Sequence, residues 1–564
     1  MSKRHHVGES LNPPLPKRAR TNAAESETDR LSLLSNEILL HILSFLPIPS
    51  LLTCQRLSHR FHSLAGDSEL WKRQYYSKWV RPRARRLAIT RRAATLPQSK
   101  FEYSPKVSTW LDHGHLDRKD RITNWKRQYQ LRHNWSKGIC RVTQVEFSQR
   151  PQPPMLVAFC AGFVFTTDSH DGLRAWSAES PTSCIASVSL TDSGSALPAS
   201  PTALTATSGP EKNSIEVVVG FEDGHFSVYR LDSAKSRLDM GFSRAGSVQG
   251  AITAMASSFP YLMVVSKHKV LSLYKLPVNA DDTDWLNKSH LLASLKADSI
   301  LSPMSLSVRV ARSEIIASIV YSFFHIGCGW SLGIQELHFD KNGQQTISRL
   351  ATTVDSQYGM VPLHHLARAG KGQPSVFERE ETFSDLYTRS LKPTILHQDP
   401  PTSVSYSHPY LLTSHADNTL TVYLVVSTAT ELFVKGGQRL WGHTSSVSAV
   451  QVSDRGKAVS ISSHGDEVRI WELEALISSF GSHRVLNGDK SIRVNPGKAR
   501  HRESEGFGVL PGLPHDGMSK HQSSVDISDA MAQMRDCIGF DDERLLLLRE
   551  REYGAQLLEF YDFT

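Results

Sequence analysis

The chain has 564 residues, a mean hydropathy of −0.30 and charged side chains at 21% of its positions, which is typical of folded proteins with more than one domain. Its net charge of +8 is unevenly placed: residues 1–150 carry 28 Lys and Arg against 12 Asp and Glu, a net +16, which leaves −8 for the rest. The larger C-terminal part is therefore acidic, which argues against a broad nucleic-acid-binding surface there.

The six cysteines are scattered and form no C-x-x-C pair, which excludes a disulfide framework and a zinc signature and favours a reducing compartment. No apolar signal region opens the sequence. The longest uncharged apolar-leaning run, residues 315–330, is shorter than the about 20 residues that a spanning helix needs. We expect a soluble protein of the cytoplasm, the nucleus or both, without membrane contact.

Residues 1–30 are polar and proline-rich, so they cannot bury a core and we expect a disordered tail. Lys17, Arg18 and Arg20 form a short basic cluster in it. Such a cluster can serve as a nuclear import signal or can simply be solvated, and the sequence leaves both interpretations open.

Residues 34–47 form the most distinctive stretch of the chain. Five apolar residues in it fall at helical spacing and predict one apolar stripe: Ile38, Leu39, Ile42, Leu43 and Leu46. Ser35 is placed to cap this helix, and Glu37 lies in the first turn, where a carboxylate favours the positive end of the helix dipole. Pro47 stops the helix. Leu40 lies opposite the stripe, and we expect it to remain exposed.

A second apolar run follows, and a further segment opens at Asp67. The run consists of Leu51, Leu52, Leu57, Phe61 and Leu64. Helices this short are not stable alone in water. We therefore expect them to pack on one another in a small module of three helices, residues 31–75.

The pattern Leu34-x-x-Glu37-Ile38-Leu39-x-x-Ile42-Leu43-x-Phe45-Leu46-Pro47, continued to Trp71, resembles the F-box, which docks on a Skp-type adaptor of cullin–RING ubiquitin ligases. Ser35 stands where that family usually has Pro, and Ser50 replaces a common Asp, which we expect to weaken docking rather than abolish it. The resemblance implies that these residues contact the adaptor: Leu34, Ser35, Glu37, Ile38, Leu39, Ile42, Leu46, Pro47, Leu51, Leu52 and Leu57. A helical hairpin that caps another domain is the alternative.

Residues 76–137 are rich in Arg, Lys, Trp and Tyr, with six arginines between positions 81 and 92. Arginine with aromatic residues suits phosphate contact and base stacking, but we favour a solvated helical linker. Trp125, Tyr129 and Arg132 recur at i, i+4 and i+7, which predicts an amphipathic helix near the end of the linker.

From residue 138 onward, short runs of Val, Ile, Leu and Tyr alternate with turn residues, which predicts many short strands. One phrase, an apolar strand, a turn and an alternating strand, occurs seven times: at residues 163–176, 217–229, 262–274, 315–334, 411–423, 458–471 and 545–561. Such units must stack or close into a ring. We expect the strand around Val142 to pair with Leu557, Phe560 and Tyr561 in the last unit, closing the ring.

The unit from Trp441-Gly442-His443 to Trp471 resembles a WD repeat, while the other units match that pattern less well. The predicted fold is α+β and multidomain: the three-helix module and helical linker are followed by an all-β, seven-bladed propeller of WD-repeat type, residues 138–564. Two long interruptions fall at residues 355–400 and 481–525, and we expect most of the second to be disordered.

No phosphate-binding glycine loop, serine nucleophile elbow or His-Glu-x-x-His motif occurs, so we expect no cofactor, no metal site and no catalytic activity. The substrate-binding candidates are polar residues in turns at one end of the blades: His170, Asp171, Asp223, His268, His415, Asp417, His443, His464 and Asp466. With Glu222 and Lys267, these turns have a formal charge of −4 and contain no Arg.

Because phosphate is usually bound by Arg clusters, the turn charge predicts a basic or uncharged substrate motif rather than a multiply phosphorylated one. The alternative for the histidines is that each hydrogen-bonds within its own blade turn. An F-box followed by such a propeller resembles the F-box/WD-repeat substrate receptors of SCF-type ubiquitin ligases. That resemblance implies a non-catalytic subunit whose partners are a Skp-type adaptor, a cullin–RING core and a protein substrate. A propeller scaffold that assembles nuclear or chromatin complexes without ubiquitin transfer is the rival.

Overall fold

A computed structural model describes residues 31, 33–81, 123–147, 155–181, 183–190, 200–211, 214–246, 250–277, 290–296, 301–311, 314–340, 343–358, 393–428, 431–463, 467–473, 491–496, 538–550 and 556–564. The chain divides into two compact units at residues 76 and 77, each treated by itself below. The predicted tail (residues 1–30), linker residues 82–122 and most of the predicted insertion 481–525 lie outside the described residues.

The described part of the first unit consists of short helices. They are α1 (Asn36–Leu43), α2 (Ile48–Cys54), α3 (His59–Ala65) and α4 (Ser68–Tyr75), with a π-helical turn (Tyr76–Val80) after them. Ser58 caps α3 by accepting from the Phe61 N–H, and Asp67 caps α4 by accepting from the Glu69 and Leu70 N–H groups. Ser35 occupies the N-cap of α1, but its side chain makes no capping hydrogen bond there.

The helices share one apolar core, which makes the module stable where single helices would not be. Buried side chains from all of them meet in this core: Leu39, Leu43, Leu51, Leu64, Ala65 and Leu70. The indole N–H of Trp71, itself buried, donates to the Ala65 carbonyl at 2.9 Å. The expectation that Leu40 stays exposed was wrong, because Leu40 is half-buried against this core.

The second unit contains 29 strands in seven sheets within the described residues. Blade 1 is β2 (Leu156–Cys160), β3 (Phe163–Asp168), β4 (Gly172–Ser177) and β5 (Cys184–Val188), and blade 2 is β6 (Pro201–Ser208), β7 (Ser214–Phe221), β8 (Phe226–Asp232) and β9 (Arg237–Arg244). Blade 3 is β10 (Ile252–Ser258), β11 (Tyr261–Ser266), β12 (Val270–Lys275) and β13 (His290–Lys296), and blade 4 is β14 (Leu301–Ala311), β15 (Glu314–His325), β16 (Gly329–Phe339) and β17 (Gln345–Thr352).

The remaining blades follow the same plan. Blade 5 is β18 (Ser403–Ser407), β19 (Tyr410–Ser414), β20 (Leu420–Ser427) and β21 (Leu432–Leu440), and blade 6 is β22 (Val447–Val452), β23 (Lys457–Ser462), β24 (Val468–Glu472) and β25 (Ser491–Arg493). Blade 7 is β27 (Ile538–Phe540), β28 (Arg544–Glu550), β29 (Gln556–Asp562) and β1 (Ile139–Phe147), with β26 (Asn495–Pro496) added along β1. Two further helices are α5 (Trp125–Lys137) and α6 (Val354–Gln357).

The seven sheets form a closed ring, as the repeated phrase predicts. The first strand of each blade contacts the first strand of the next, and β27 contacts both β22 and β2. Seven apolar clusters fill the seven gaps between neighbouring blades, including the gap between blades 7 and 1. Each sheet buries both faces in this way, which explains why the strands are nearly continuous apolar runs.

The ring is closed by β1, which supplies the fourth strand of blade 7. Its antiparallel register pairs Val142 with Tyr561, Thr143 with Phe560 and Glu146 with Leu557. The predicted closure is therefore confirmed, and it leaves no free strand edge at this joint. Within the predicted insertion 481–525, residues 491–496 form strands, because β25 completes blade 6 and β26 pairs with β1.

Helix α5 packs against blade 7 and belongs to the second unit. Its Trp135 ring stacks on Phe563 with centroids 3.9 Å apart, and the Trp135 indole N–H donates to the Asp542 carbonyl at 2.8 Å. The Asn134 amide donates to the Phe563 carbonyl at 2.8 Å. Gly138, at φ +67°, ends the helix in the left-handed conformation that glycine adopts without strain, and β1 begins directly after it.

Candidate functional site

The first candidate surface is the outer side of α1. Ile38 and Ile42, one helical turn apart, are 50% and 42% exposed, and Phe45 beyond the helix end is 68% exposed. The predicted stripe is therefore divided: Leu39 and Leu43 face the core, while Ile38 and Ile42 face solvent. This leaves a row of large apolar side chains without cover on a very small module.

The predicted adaptor contacts fall into two groups. Leu39 and Leu51 are 1% and 0% exposed, so their assignment as contacts is corrected: they hold the module together and lie beneath its surface. The other predicted residues all reach the surface, wholly or in part: Leu34, Ser35, Glu37, Ile38, Ile42, Leu46, Pro47, Leu52 and Leu57.

Polar contacts fix the ends of this apolar row. The Arg60 guanidinium donates to the Leu34 carbonyl at 2.6 Å and to the Asn36 side chain at 2.8 Å. At the other end, the Phe45 ring lies edge-on to His41 at 5.0 Å and beneath the Arg73 guanidinium at 5.8 Å. The pKa of Glu37 is lowered by a hydrogen bond from its own backbone N–H and by one from the Ser35 hydroxyl. The carboxylate at the start of α1 is thus kept charged.

The second candidate surface is one end of the propeller. In each blade the turn between the second and third strands points to the same end as the connection to the next blade, because the strands run antiparallel. We call this end the upper face. His170 and Asp171, Asp223, His268 and Asp417 lie in such turns and are exposed there. His464 and Asp466 lie outside the described residues.

His443 is not available on the upper face, and its assignment to substrate binding is corrected. Its Nε2 lies 2.6 Å from the Ser460 hydroxyl, to which the Trp471 indole N–H also donates at 2.8 Å. Its Nδ1 lies 3.4 Å from Glu467, whose carboxylate accepts from the Thr444 N–H at 3.0 Å. These buried side chains join the connection that carries His443 to Ser460, Glu467 and Trp471 of blade 6. For His443, the alternative interpretation of a histidine that hydrogen-bonds within its own blade is therefore correct.

The electrostatics of this group keep Glu467 charged although its side chain is only 2% exposed. Burial raises the pKa of Glu467, but hydrogen bonds from Thr444 and from the Arg469 guanidinium outweigh it and hold the pKa at about 2. Blade 1 repeats part of the arrangement, since the Trp176 indole N–H donates to the Thr166 hydroxyl at 3.0 Å. The terminal Trp of the repeated phrase is thus a structural residue in both blades.

His415 is likewise buried, and its assignment as a binding residue is corrected. Its ring stacks on His397 with centroids 3.8 Å apart and planes 5° apart, and its Nε2 lies 2.9 Å from the Thr413 hydroxyl. Burial lowers the pKa of His397 to about 4 and that of His415 to about 3, with Arg439 further lowering both values. Both imidazoles are therefore neutral at physiological pH.

Two arginines reach these turns, although the turn sequences themselves contain none. Arg174 bridges Asp168 at 2.9 Å and Asp171 at 2.7 Å, and Arg439 lies 3.8 Å from Asp417. These arginines come from the strands beneath the turns rather than from the turns themselves, which is why turn sequence alone did not reveal them. They neutralise part of the predicted acidic charge.

Sequence reasoning also missed a set of exposed apolar residues on the upper face. Four of them stand out by exposure: Phe324, Ile326, Leu396 and Trp441. Trp441 is the first residue of the WD-like unit. Its position outside a strand, before Gly442, was the signal that such a large side chain would not be part of an inter-blade core.

Within the described part of the chain, no three His, Cys, Asp or Glu side chains are grouped as metal ligands. None of its helices is long and apolar enough to span a bilayer. A cavity of about 180 Å³ lies among the first strands of blades 1, 2, 6 and 7, lined by residues including Phe159, Thr205 and Gln451.

Comparisons with known proteins agree with this two-part architecture. A family model described as F-box protein pof12 beta-propeller matches residues 140–564, and one described as F-box-like matches residues 36–77. The F-box protein pof12 of Schizosaccharomyces pombe is 22% identical over 468 residues, covering 78% of this chain and 84% of that protein. The F-box protein dre-1 of Caenorhabditis elegans is 41% identical over 51 residues, 9% of this chain and 5% of that protein.

Among solved structures, that of BamB from Moraxella catarrhalis matches 75% of this chain and 99% of its own length, at 9% identity and a TM-score of 0.34. A score this low supports no conclusion.

Proposed function

Because this chain belongs to the family of F-box proteins that carry a pof12-type β-propeller, we propose that it is the substrate-recognition subunit of an SCF-type ubiquitin ligase. The F-box module docks on a Skp-type adaptor and, through it, on a cullin–RING core. The propeller binds a protein substrate, in the cytoplasm or the nucleus. The chain supplies no reacting group in this role, because it acts by raising the effective concentration of substrate lysines near the ubiquitin thioester.

The observation that carries the proposal is the uncovered row of Ile38 and Ile42 on α1 and Phe45 just beyond its end. These side chains are not needed for the core, which Leu39 and Leu43 already fill from the other side of the helix. Fully burying an aliphatic or aromatic side chain of this size contributes about 1.5–3 kcal/mol. A partner that covered the exposed part of three of them would gain a few kcal/mol, enough to anchor an interface.

The upper face supports substrate binding because its turns stand on seven rigidly packed blades. Binding residues in proteins concentrate on loops that a rigid scaffold positions. His170, Asp223 and His268 are exposed here, and they remain candidates together with Asp171 and Asp417, which are exposed but paired with arginine.

Adaptor capture by the purified full-length chain tests the proposal. We expect the unaltered chain to bind a Skp-type adaptor, and the variant Ile38→Asp/Ile42→Asp to bind at least about 100-fold more weakly, because docking would bury two unpaired carboxylates. The matched control is Met240→Asp/Leu291→Asp, which changes two residues of similar exposure, 49% and 48%, on the propeller. Equal adaptor affinity of both double variants, with unchanged melting of the module, would refute F-box docking.

Reconstitution with the adaptor and a cullin–RING core separates the proposal from the scaffold alternative. A substrate receptor transfers ubiquitin to a propeller-bound protein only when adaptor, core and this chain are all present. A chain that binds the adaptor but never recruits the core would instead act as a scaffold.

A further inference from the structure

Five apolar residues on the upper face form what we call the apolar patch: Phe324, Ile326, Trp330, Leu396 and Trp441. Ile326, at the tip of the turn between β15 and β16, is 97% exposed, and Phe324 beside it is 59% exposed. Leu396 and Trp441 lie in the connections that lead into blades 5 and 6 and are 44% and 62% exposed. An accumulation of large apolar side chains on one end of a ring is typical of an interaction site.

Direct contacts join the segments that carry these residues. Phe324 and Trp330 pack edge to face with centroids 6.0 Å apart. The Trp330 N–H donates to the His397 carbonyl at 2.9 Å, which joins the connection that carries Leu396 to the end of the β15–β16 turn. The Arg439 guanidinium donates to the Leu396 carbonyl at 2.6 Å, and Arg439 lies two residues before Trp441 in the sequence. These contacts bring together the segments that carry the patch, from the β15–β16 turn of blade 4 to the connection between blades 5 and 6.

Buried hydrogen bonds hold the β15–β16 turn in place. Gln357 of α6 is fully buried, and its amide N–H donates to the Trp330 carbonyl at 3.0 Å. Its side-chain oxygen accepts from the Ser331 hydroxyl at 2.6 Å and from the Cys328 thiol at 3.2 Å. A surface fixed in this way loses little conformational entropy on binding, which favours affinity.

The charges around the patch have one dominant sign. Its rim, taken as residues 323–331, 353–358, 393–401, 415–419 and 439–444, carries three exposed aspartates, Asp355, Asp399 and Asp417. Within these described segments the opposing charge is Arg439, which is engaged with Asp417 and the Leu396 carbonyl; Arg469, close to Gly442, is paired with Glu467. The stacked His397 and His415 add no positive charge at neutral pH. The rim of the patch therefore favours a basic partner and repels phosphate.

We propose that the apolar patch binds a short protein segment in which apolar or aromatic side chains stand beside Lys or Arg. The apolar side chains pack on Trp441, Ile326 and Phe324, and the basic ones lie over Asp399 and Asp417. The identification of this segment as part of a ubiquitination substrate rests on the function proposed above. The binding chemistry of the patch is independent of that function.

A random 16-residue peptide display library, selected against the full-length chain, tests the proposal. We expect enriched peptides to combine Lys or Arg with Leu, Met, Phe or Trp. Their affinity should fall at least about 30-fold for Trp441→Ser/Ile326→Ser, since exposed aromatic anchors dominate such interfaces. The control Met240→Ser/Leu291→Ser, which alters two half-exposed apolar side chains on the last strands of blades 2 and 3, should change it less than about 2-fold.

Charge reversal gives an independent readout. In Asp399→Lys/Asp417→Lys the selected basic peptides should bind about 10-fold or more weakly, and the loss should shrink at high salt. Acidic peptides as the main products, affinity that is indifferent to the patch variants, or no enrichment at all would overturn the proposal. Enrichment only after residues 359–392 are replaced by a Gly-Ser linker would assign the patch to that segment of the chain, and would overturn it too.

Adaptor capture measured on the same preparations keeps the two proposals apart. Variants of the apolar patch should retain full adaptor affinity. Failure of adaptor binding with intact peptide binding would remove the ligase role and leave the peptide site standing.

Discussion

Replacement of Phe563 by Ala tests whether the ring is closed in the way described. The Phe563 side chain is completely buried and stacks on Trp135 of α5, so its loss removes a contact between the helix that precedes β1 and the strand that pairs with β1. The backbone hydrogen bonds of this residue, from the Asn134 amide and to the Glu543 carbonyl, are left intact. The variant therefore isolates the contribution of the aromatic ring.

Truncation of a fully buried Phe to Ala costs about 3–5 kcal/mol of folding free energy, which includes the cavity left behind. Of this, the stacked pair itself contributes about 0.5–1.5 kcal/mol. Since a domain is stable by only about 5–15 kcal/mol, we expect the propeller to lose about a fifth or more of its stability. Phe563→Leu, which keeps most of the volume, should lose less than about 2 kcal/mol.

Urea unfolding of the full-length chain, followed by near-ultraviolet circular dichroism, measures this loss. The control Phe324→Ala, at a Phe that is 59% exposed, should change the unfolding free energy by less than about 0.5 kcal/mol. In a Trp135→Ala background the effect of Phe563→Ala should shrink by the pair energy. Equal midpoints for Phe563→Ala and Phe324→Ala would show that α5 does not help to close the ring.

Three further outcomes follow from the propeller. Deletion of residues 556–564 removes β29 and exposes the edges of β1 and β28, so we expect an insoluble or non-cooperatively melting protein rather than one with a normal melting temperature. Trp471→Phe removes the hydrogen bond to Ser460 and should lower the free energy of unfolding by about 1–2 kcal/mol in chemical denaturation. No measurable loss would show that this bond does not stabilise the blade. Because the folded pKa values of His397 and His415 lie below the ordinary 6.5, the unfolded chain takes up protons first. The free energy of unfolding should thus be highest above pH 6.5 and fall towards pH 4, by up to about 1.4 kcal/mol per pH unit for each imidazole. In thermal melts, the variant His397→Asn/His415→Asn should lack this contribution to the pH dependence.

The propeller could be predicted from sequence because its strands repeat. Burial between blades demands the same apolar phrase seven times, and the pairing of Val142 with Tyr561 follows once the last unit lacks a strand. The F-box helix could be predicted for the same reason, since Leu39 and Leu43 must face a core. Which of two adjacent apolar residues faces inward could not be predicted: Ile38 and Leu39 look alike in sequence, and only the packing of α1 on the other helices separates them.

The candidate site was harder to predict because one residue type serves two purposes. His170 and His443 both stand at the upper end of a blade, yet the first is exposed and the second is locked between Ser460 and Glu467. The partner residues lie 17 or more positions away along the chain and become neighbours only when the blade forms.

Departures from the repeat, rather than the repeat itself, mark where this propeller is specialised. Blade 6 follows the WD pattern most closely, and the polar residues of that pattern are buried in structural hydrogen bonds. In blade 4, β15 is the longest strand in the described part of the chain, with 12 residues. Its turn to β16 carries Phe324 and Ile326 into solvent, although a core would favour burying them. The β15–β16 turn exposes apolar side chains and is nevertheless fixed by the hydrogen bonds of Gln357. We expect selection for binding to have acted at a site that combines these two features.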